Sequence, residues 1–103
     1  MTTVMLAERA VGGRLLGSRP SAHAIRDLIE ATLQAGDQVV LDFAGTDVTQ
    51  SFIDELVGVL VLERGEDVLQ SLVFRNCSPD TQTILHFVVS DRLDQLSQSR
   101  PVH

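Results

Sequence analysis

Apolar residues recur along this chain in two styles, spaced runs with a helical period and short unbroken runs. Ile25, Leu28, Ile29 and Leu33 fall at i, i+3, i+4 and i+8, one face of a 3.6-residue period, which predicts a first helix. Thr32 takes the i+7 place, while Arg26, Asp27 and Glu30 lie mainly on other faces. Gly36 follows the last periodic residue, where a left-handed cap is expected. Residues 38–43, Gln-Val-Val-Leu-Asp-Phe, are nearly continuously apolar between Gly36 and Gly45 and read as a strand covered on both faces. Residues 44–50 form a loop. The period returns over residues 52–63, with Phe52, Leu56, Val59 and Leu60 on one face and Ile53, Val57 and Val61 widening it. So broad an apolar surface implies packing on the sheet together with a further neighbour or partner.

Leu72-Val73-Phe74 repeats the buried-strand pattern, and Ser78-Pro79-Asp80 is a compact helix start. Ile84, Leu85, Val88 and Val89 give the third helix its inner face to about Leu93. At the other end, residues 3–10 suit an edge strand, Gly12-Gly13 a turn, and Arg14-Leu15-Leu16 a short strand returning from it. Residues 17–21 are loop chemistry. The order strand, helix, strand, helix, strand, helix predicts an α/β fold: a small mixed or parallel sheet flanked by about three helices. Residues 1–94 are expected to form one domain, and residues 95–103, where the period fades before Pro101, a frayed tail. Val39–Phe43 and Leu72–Phe74 are expected as central strands, with Leu41 and Val73 fully buried.

Composition narrows the function. In 103 residues there are four Phe and no Tyr or Trp, so the core is built from Val, Leu and Ile. The net charge is −6, and Arg supplies all eight basic residues, Lys being absent. An acidic surface without a basic run repels phosphate backbones and anionic lipid, so neither nucleic acid nor membrane is an expected partner. No segment reaches the ~20 apolar residues that span a bilayer. The single cysteine, Cys77, has no internal disulfide partner, and the first eight residues carry no basic n-region, so a cytoplasmic protein is expected.

Three stretches then resemble the STAS-like domain family, a compact relative of the domain of bacterial anti-sigma-factor antagonists. They are Leu16-Gly17-Ser18-Arg19 with Ala22 and Ile25-Arg26; Val40-Leu41-Asp42-Phe43-Ala44-Gly45 with Val48-Thr49-Gln50-Ser51-Phe52 and Glu55-Leu56-Val57-Gly58; and Leu72-Val73-Phe74-Arg75-Asn76 with Ser78-Pro79. Together they run over roughly residues 15–93. In the antagonists a serine opening the second helix is phosphorylated by a partner kinase, which breaks one complex and switches partners; by position that serine is Ser51. The antagonists carry an acidic residue two positions before it and a glycine after it, where this chain has Thr49 and Phe52.

Each candidate residue has a structural reading beside the functional one. Ser51 suits an N-terminal cap worth about 1 kcal/mol, with Asp54 and Glu55 in the first turn. A phosphate there would be accommodated by free N–H groups and the helix dipole, and Asp47, Asp54 and Glu55 would make the surface repulsive to an acidic partner. Thr49 is the alternative hydroxyl, or a loop residue bonded to nearby backbone. Ser78 reads as a cap alone. Asp42 closes a buried strand, where it could contact a partner, bind a metal with Asp47 as a weak companion, or anchor a loop, the last being favoured. Arg19 could pair with an acidic loop or a partner's carboxylate, or lie along the surface with a packed stem. Cys77 precedes a helix start, which could lower its thiol pKa, or is a small buried hydrophobe.

His23, His86 and His103 show no metal-ligand spacing, and no nucleotide loop or nucleophile elbow occurs, so no metal, cofactor or catalytic activity is expected. A Ser51–His86–Asp42 triad has no support in the spacing. The favoured reading is a non-catalytic signalling module that binds a protein partner, such as an ATPase-kinase-like regulator. The contact would be made by loop 44–50 and the exposed face of the second helix, with Arg19, Asp42, Asp47 and Asp54 as contact residues. A small hydrolase using Ser51 or Cys77, and a structural subunit forming a homodimer through the second helix, are the alternatives.

Overall fold

Five strands form two parallel sheets in the described part of the chain, residues 1–9 and 15–99 of a computed structural model. They are β1 (Thr2–Met5), β2 (Leu15–Leu16), β3 (Val39–Asp42), β4 (Asp47–Val48) and β5 (Leu72–Arg75). The main sheet has the order β1-β3-β5, with Val4, Leu41 and Phe74 in one row and Met5, Asp42 and Arg75 in the next. The unbroken apolar run thus becomes the middle strand: Val39, Val40 and Leu41 are each fully buried. Side chains alternate across it, so Val39 and Leu41 join Val4, Leu72 and Phe74 in the core. Val40 shares the other face with Thr3 and Val73.

Three strand expectations need correction. Strand β5 is an edge of the described sheet, and Val73 is only half-buried because it lies on the face away from the core cluster. Strand β1 stops at Met5, where a short 3₁₀ turn (Leu6–Arg9) carries Leu6 into the core. Strand β2 does not return onto β1; it runs parallel to β4, pairing Leu16 with Val48. The Gly12-Gly13 turn, Arg14 and Ala10 lie outside the described residues.

Among the described residues there are four α-helical segments: α1 (Arg19–Gln34), α2 (Gln50–Ile53), α3 (Val59–Arg64) and α4 (Pro79–Ser99). Helix α1 begins inside the stretch read as loop, because Ser18 caps it by accepting from the Ser21 N–H. Its inward face is also turned from the expected one: Ala22, Ile25, Arg26 and Ile29 are buried, with Leu28 and Leu33 at the margin. Gly36 does follow its end in the left-handed region, φ 82°. Between α2 and α3 the helix continues through one π-helical stretch, Asp54–Gly58. The broad apolar surface finds its further neighbours within the chain, α1 on one flank and α4 on the other. Phe52, Ile53, Leu56, Val57, Leu60 and Val61 are all fully buried that way.

Ser78 caps α4 as expected, accepting from the Thr81 N–H at 3.1 Å. The helix then runs past Leu93 to Ser99, and Leu96 packs against the core; residues 100–103 of the expected tail lie outside the described residues. No helix among the described residues is long and apolar enough to cross a membrane.

Candidate functional site

The residues that bring chemistry together lie where the start of the second helix meets α1 and α4. Arg19, Gln50, Ser51, Asp54, Phe87, Val88, Asp91 and Arg92 line a polar cleft of about 230 Å³ there. Phe87 is 54% exposed, and it and Asp91 also line a neighbouring cavity with His86 and Asp94.

Ser51 does not cap the helix. Thr49 holds that place: its backbone is extended (φ −101°, ψ 162°) and its Oγ1 accepts from the Phe52 N–H at 3.1 Å. The same hydroxyl donates to the Gly17 carbonyl at 3.2 Å, and the Thr49 N–H donates to the Leu16 carbonyl. Strand β2 therefore fixes Thr49 in the capping geometry and uses its hydroxyl as both donor and acceptor. Ser51 is left within the first helical turn, exposed, and its hydroxyl makes no hydrogen bond to any described residue.

Behind Ser51, three arginines clasp two carboxylates across the helix interfaces. Arg92 donates through Nε at 2.7 Å, and through Nη2, to Asp54 Oδ1. Arg19 Nη1 reaches Asp54 Oδ2 at 3.4 Å and Glu55 Oε2 at 3.2 Å. Arg26 Nη1 donates to the Glu55 carbonyl at 2.8 Å and to its Oε1 at 2.9 Å. The hydrogen-bonded Arg26 guanidinium holds the Glu55 carboxyl below the ordinary glutamate value despite its partial burial, and Arg19 adds to the effect. Arg26 is 8% exposed, and its Nε is buried without a partner among the described residues.

Gly58 makes the clasp possible. A Cβ at that position would stand 2.6 Å from Asp54 Oδ1, 3.1 Å from Arg92 Nε and 3.2 Å from Val88 Cγ1. The bare backbone lets α4 approach until the Asp54–Arg92 pair closes. Both carboxylates lie in the π-helical stretch, where the wider turn changes the spacing of side chains along the helix.

Sequence reasoning found Arg19, Ser51 and Asp54 but missed Arg26, Arg92, Gly58 and the contact role of Glu55. A signal for Arg26 was present: residues 22, 25, 26 and 29 form an i, i+3, i+4, i+7 stripe with the arginine inside it. Nothing local marks Arg92, which meets its partner 38 residues away.

Asp42 is separate from this cluster. Its carboxylate accepts from the Ala44 N–H at 2.9 Å and from Asn76 Nδ2 at 3.0 and 3.2 Å. The Ala44 amide first, and then Asn76, hold its pKa below the ordinary aspartate value against burial. It thereby joins the ends of β3 and β5, and Asn76 adopts a left-handed φ of 58° beside it. Asp47 is exposed at the start of β4. Cys77 is partly buried, and burial, reinforced by the charge of Asp42, pushes its thiol up. Ser51 and His86 line different cavities while Asp42 bonds to Asn76. Among the described residues no three of His, Cys, Asp or Glu are grouped to hold a metal.

No curated protein and no solved structure matches the chain. A family model described as a STAS-like domain of unknown function matches residues 21–82, more than half of the chain and within the stretch that carries the motif resemblance. That segment holds α1 from Ser21 onward, the middle strand, the capped second helix with its carboxylate pair, and β5, and the parallel α/β architecture agrees with it. The chain belongs to the STAS-like domain family.

Proposed function

We propose that this domain is a non-catalytic protein-interaction module whose binding surface is the start of the second helix with loop 44–50, and that phosphorylation of Ser51 switches its partner. The observation that carries this reading is the position of Ser51: exposed, with an unengaged hydroxyl, at the edge of a polar cleft. Because Thr49 does the capping, Ser51 has no structural task that modification would destroy. Thr49, half-buried and bonded twice, is the poorer acceptor of a phosphate.

The phosphoryl donor would be a nucleoside triphosphate held by a kinase-type partner, and a cytoplasmic location goes with that donor. The bond from Ser51 Oγ to phosphorus forms as the bond to the leaving diphosphate breaks, and the hydroxyl proton passes to a base of the kinase. The added charge of about −1.5 to −2 stands beside Asp54 and Glu55 and repels an acidic partner surface. Arg19 and Asp47 are exposed near this surface and would contribute contacts.

The test is phosphopeptide mapping of the protein isolated from its own cells with phosphatase inhibitors present. Phosphate is expected on the peptide containing Ser51 and is lost on phosphatase treatment. A peptide unmodified in every growth condition overturns the switch. For a protein partner that co-purifies with the chain from those cells, Ser51→Asp should bind more weakly than wild type at low salt and Ser51→Ala should bind equally well.

A further inference from the structure

We propose that Arg19 and Arg92 form an intramolecular receiver for a phosphate on Ser51, exchanging the Asp54 carboxylate for it. This rests on the reading of Ser51 as a modified residue. Ser51, Arg19, Arg92, Asp54 and Asp91 line one cleft of about 230 Å³. Its two cations come from different elements, Arg19 from the start of α1 and Arg92 from α4, and each now grips Asp54.

Charge and geometry dictate the exchange. A phosphate on Ser51 places nearly two negative charges three and four residues before Asp54 and Glu55, where like charges on a helix repel. The cleft already balances Arg19 and Arg92 against Asp54 and Asp91, so the phosphate cannot remain there beside the present pairing. A guanidinium binds phosphate through two parallel N–H donors, and such charge-assisted pairs are the stronger ones. Arg19 has room to turn, since its side chain is 53% exposed and its contact to Asp54 is long, 3.4 Å. The Asp54 carboxylate opens onto the same cleft and hydrates on release.

Arg26 keeps its place. It is bonded to the Glu55 backbone carbonyl as well as its carboxylate, so α1 stays tied to the second helix during the exchange. The exchange therefore reorganises the cleft, with Phe87 at its wall, without unfolding the domain.

The experiment uses the full chain with phosphoserine incorporated at position 51 during synthesis, which requires no kinase. Phosphorus NMR titration gives the second ionisation of that phosphate in the wild-type background and in Arg19→Gln, Arg92→Gln and the double variant. Two guanidiniums in contact favour the dianion, so the midpoint should rise by about one pH unit when both are removed. Arg92→Gln leaves Asp54 without its main partner and could weaken the fold. Arg19→Gln alters an exposed side chain, and the Nε–Hε resonances of Arg19 and Arg92 need no variant at all. Both resonances should shift between the unmodified and the phosphorylated chain.

Equal midpoints in wild type and Arg19→Gln, with both resonances unmoved by phosphorylation, overturn the receiver even if cells do phosphorylate Ser51. Failure to find phosphate in cells leaves this measurement intact and strikes the switch alone.

Discussion

At the scale of single residues, two neighbouring hydroxyls divide the labour that either could perform. Thr49 closes the helix and ties it to β2, while Ser51, two residues later, stays in solvent. Thr49→Ala should therefore lose about 1 kcal/mol in urea unfolding. Ser51→Ala should stay within about 0.5 kcal/mol of wild type, as surface changes usually do. The reverse order would return the cap to Ser51 and weaken the case for a signalling hydroxyl. Asp42 supplies a pH dependence. Its folded-state pKa lies below its unfolded value, so its contribution is present above the ordinary aspartate range and is lost as pH falls through the lower folded value. Glu55 acts in the same direction. The urea midpoint should rise from acid toward neutral pH, and Asp42→Asn should make that rise shallower; an unchanged profile would mean that Asp42 titrates alike in the folded and unfolded chain.

Among the elements, the second helix meets α4 too closely to leave room for a side chain at Gly58. Alanine is a better helix former than glycine by about 1 kcal/mol, so propensity alone makes Gly58→Ala stabilising. Packing opposes it. The new methyl would press on Asp54 Oδ1, which Arg92 holds in place from the other side, and on Val88. Overpacking of this kind costs about 1–3 kcal/mol, so the variant should be less stable than wild type. A variant that is more stable would show that α4 moves away easily and that the arginine clasp is incidental. The π-helical stretch belongs to the same contact, since it carries both clasped carboxylates and ends at the glycine.

In the whole molecule, stability rests on one apolar cluster that spans the inner face of the sheet and the helices above it. Leu41 is fully buried at the centre of the middle strand. Leu41→Ala should lose about 2–5 kcal/mol, a large share of what holds a domain of this size together. A small loss in urea unfolding would mean that the cluster collapses around the gap. The second helix contributes six fully buried apolar side chains to the same cluster, so assembly through that face would have to displace α1 or α4.

Local signals settled most elements. The unbroken apolar run made β3 legible, the 3.6-residue period made the second helix legible, and Ser78-Pro79 marked the start of α4, because propensity and capping act between residues within a few positions. The same locality explains the misses. Residues 17–21 have loop composition, yet α1 starts within them because Ser18 caps it. The apolar period fades after Leu93, yet α4 continues while Leu96 reaches the core. At the candidate site the sequence marked Arg19, Ser51 and Asp54, but only the tertiary structure decided which hydroxyl caps the helix, because the choice depends on the Gly17 carbonyl 32 residues from Thr49. It also decided which arginines meet which carboxylates, over separations of 29 to 38 residues. No periodicity or cap chemistry encodes such pairs; they follow from how the helices pack, and for Asp54–Arg92 from the close approach that Gly58 allows.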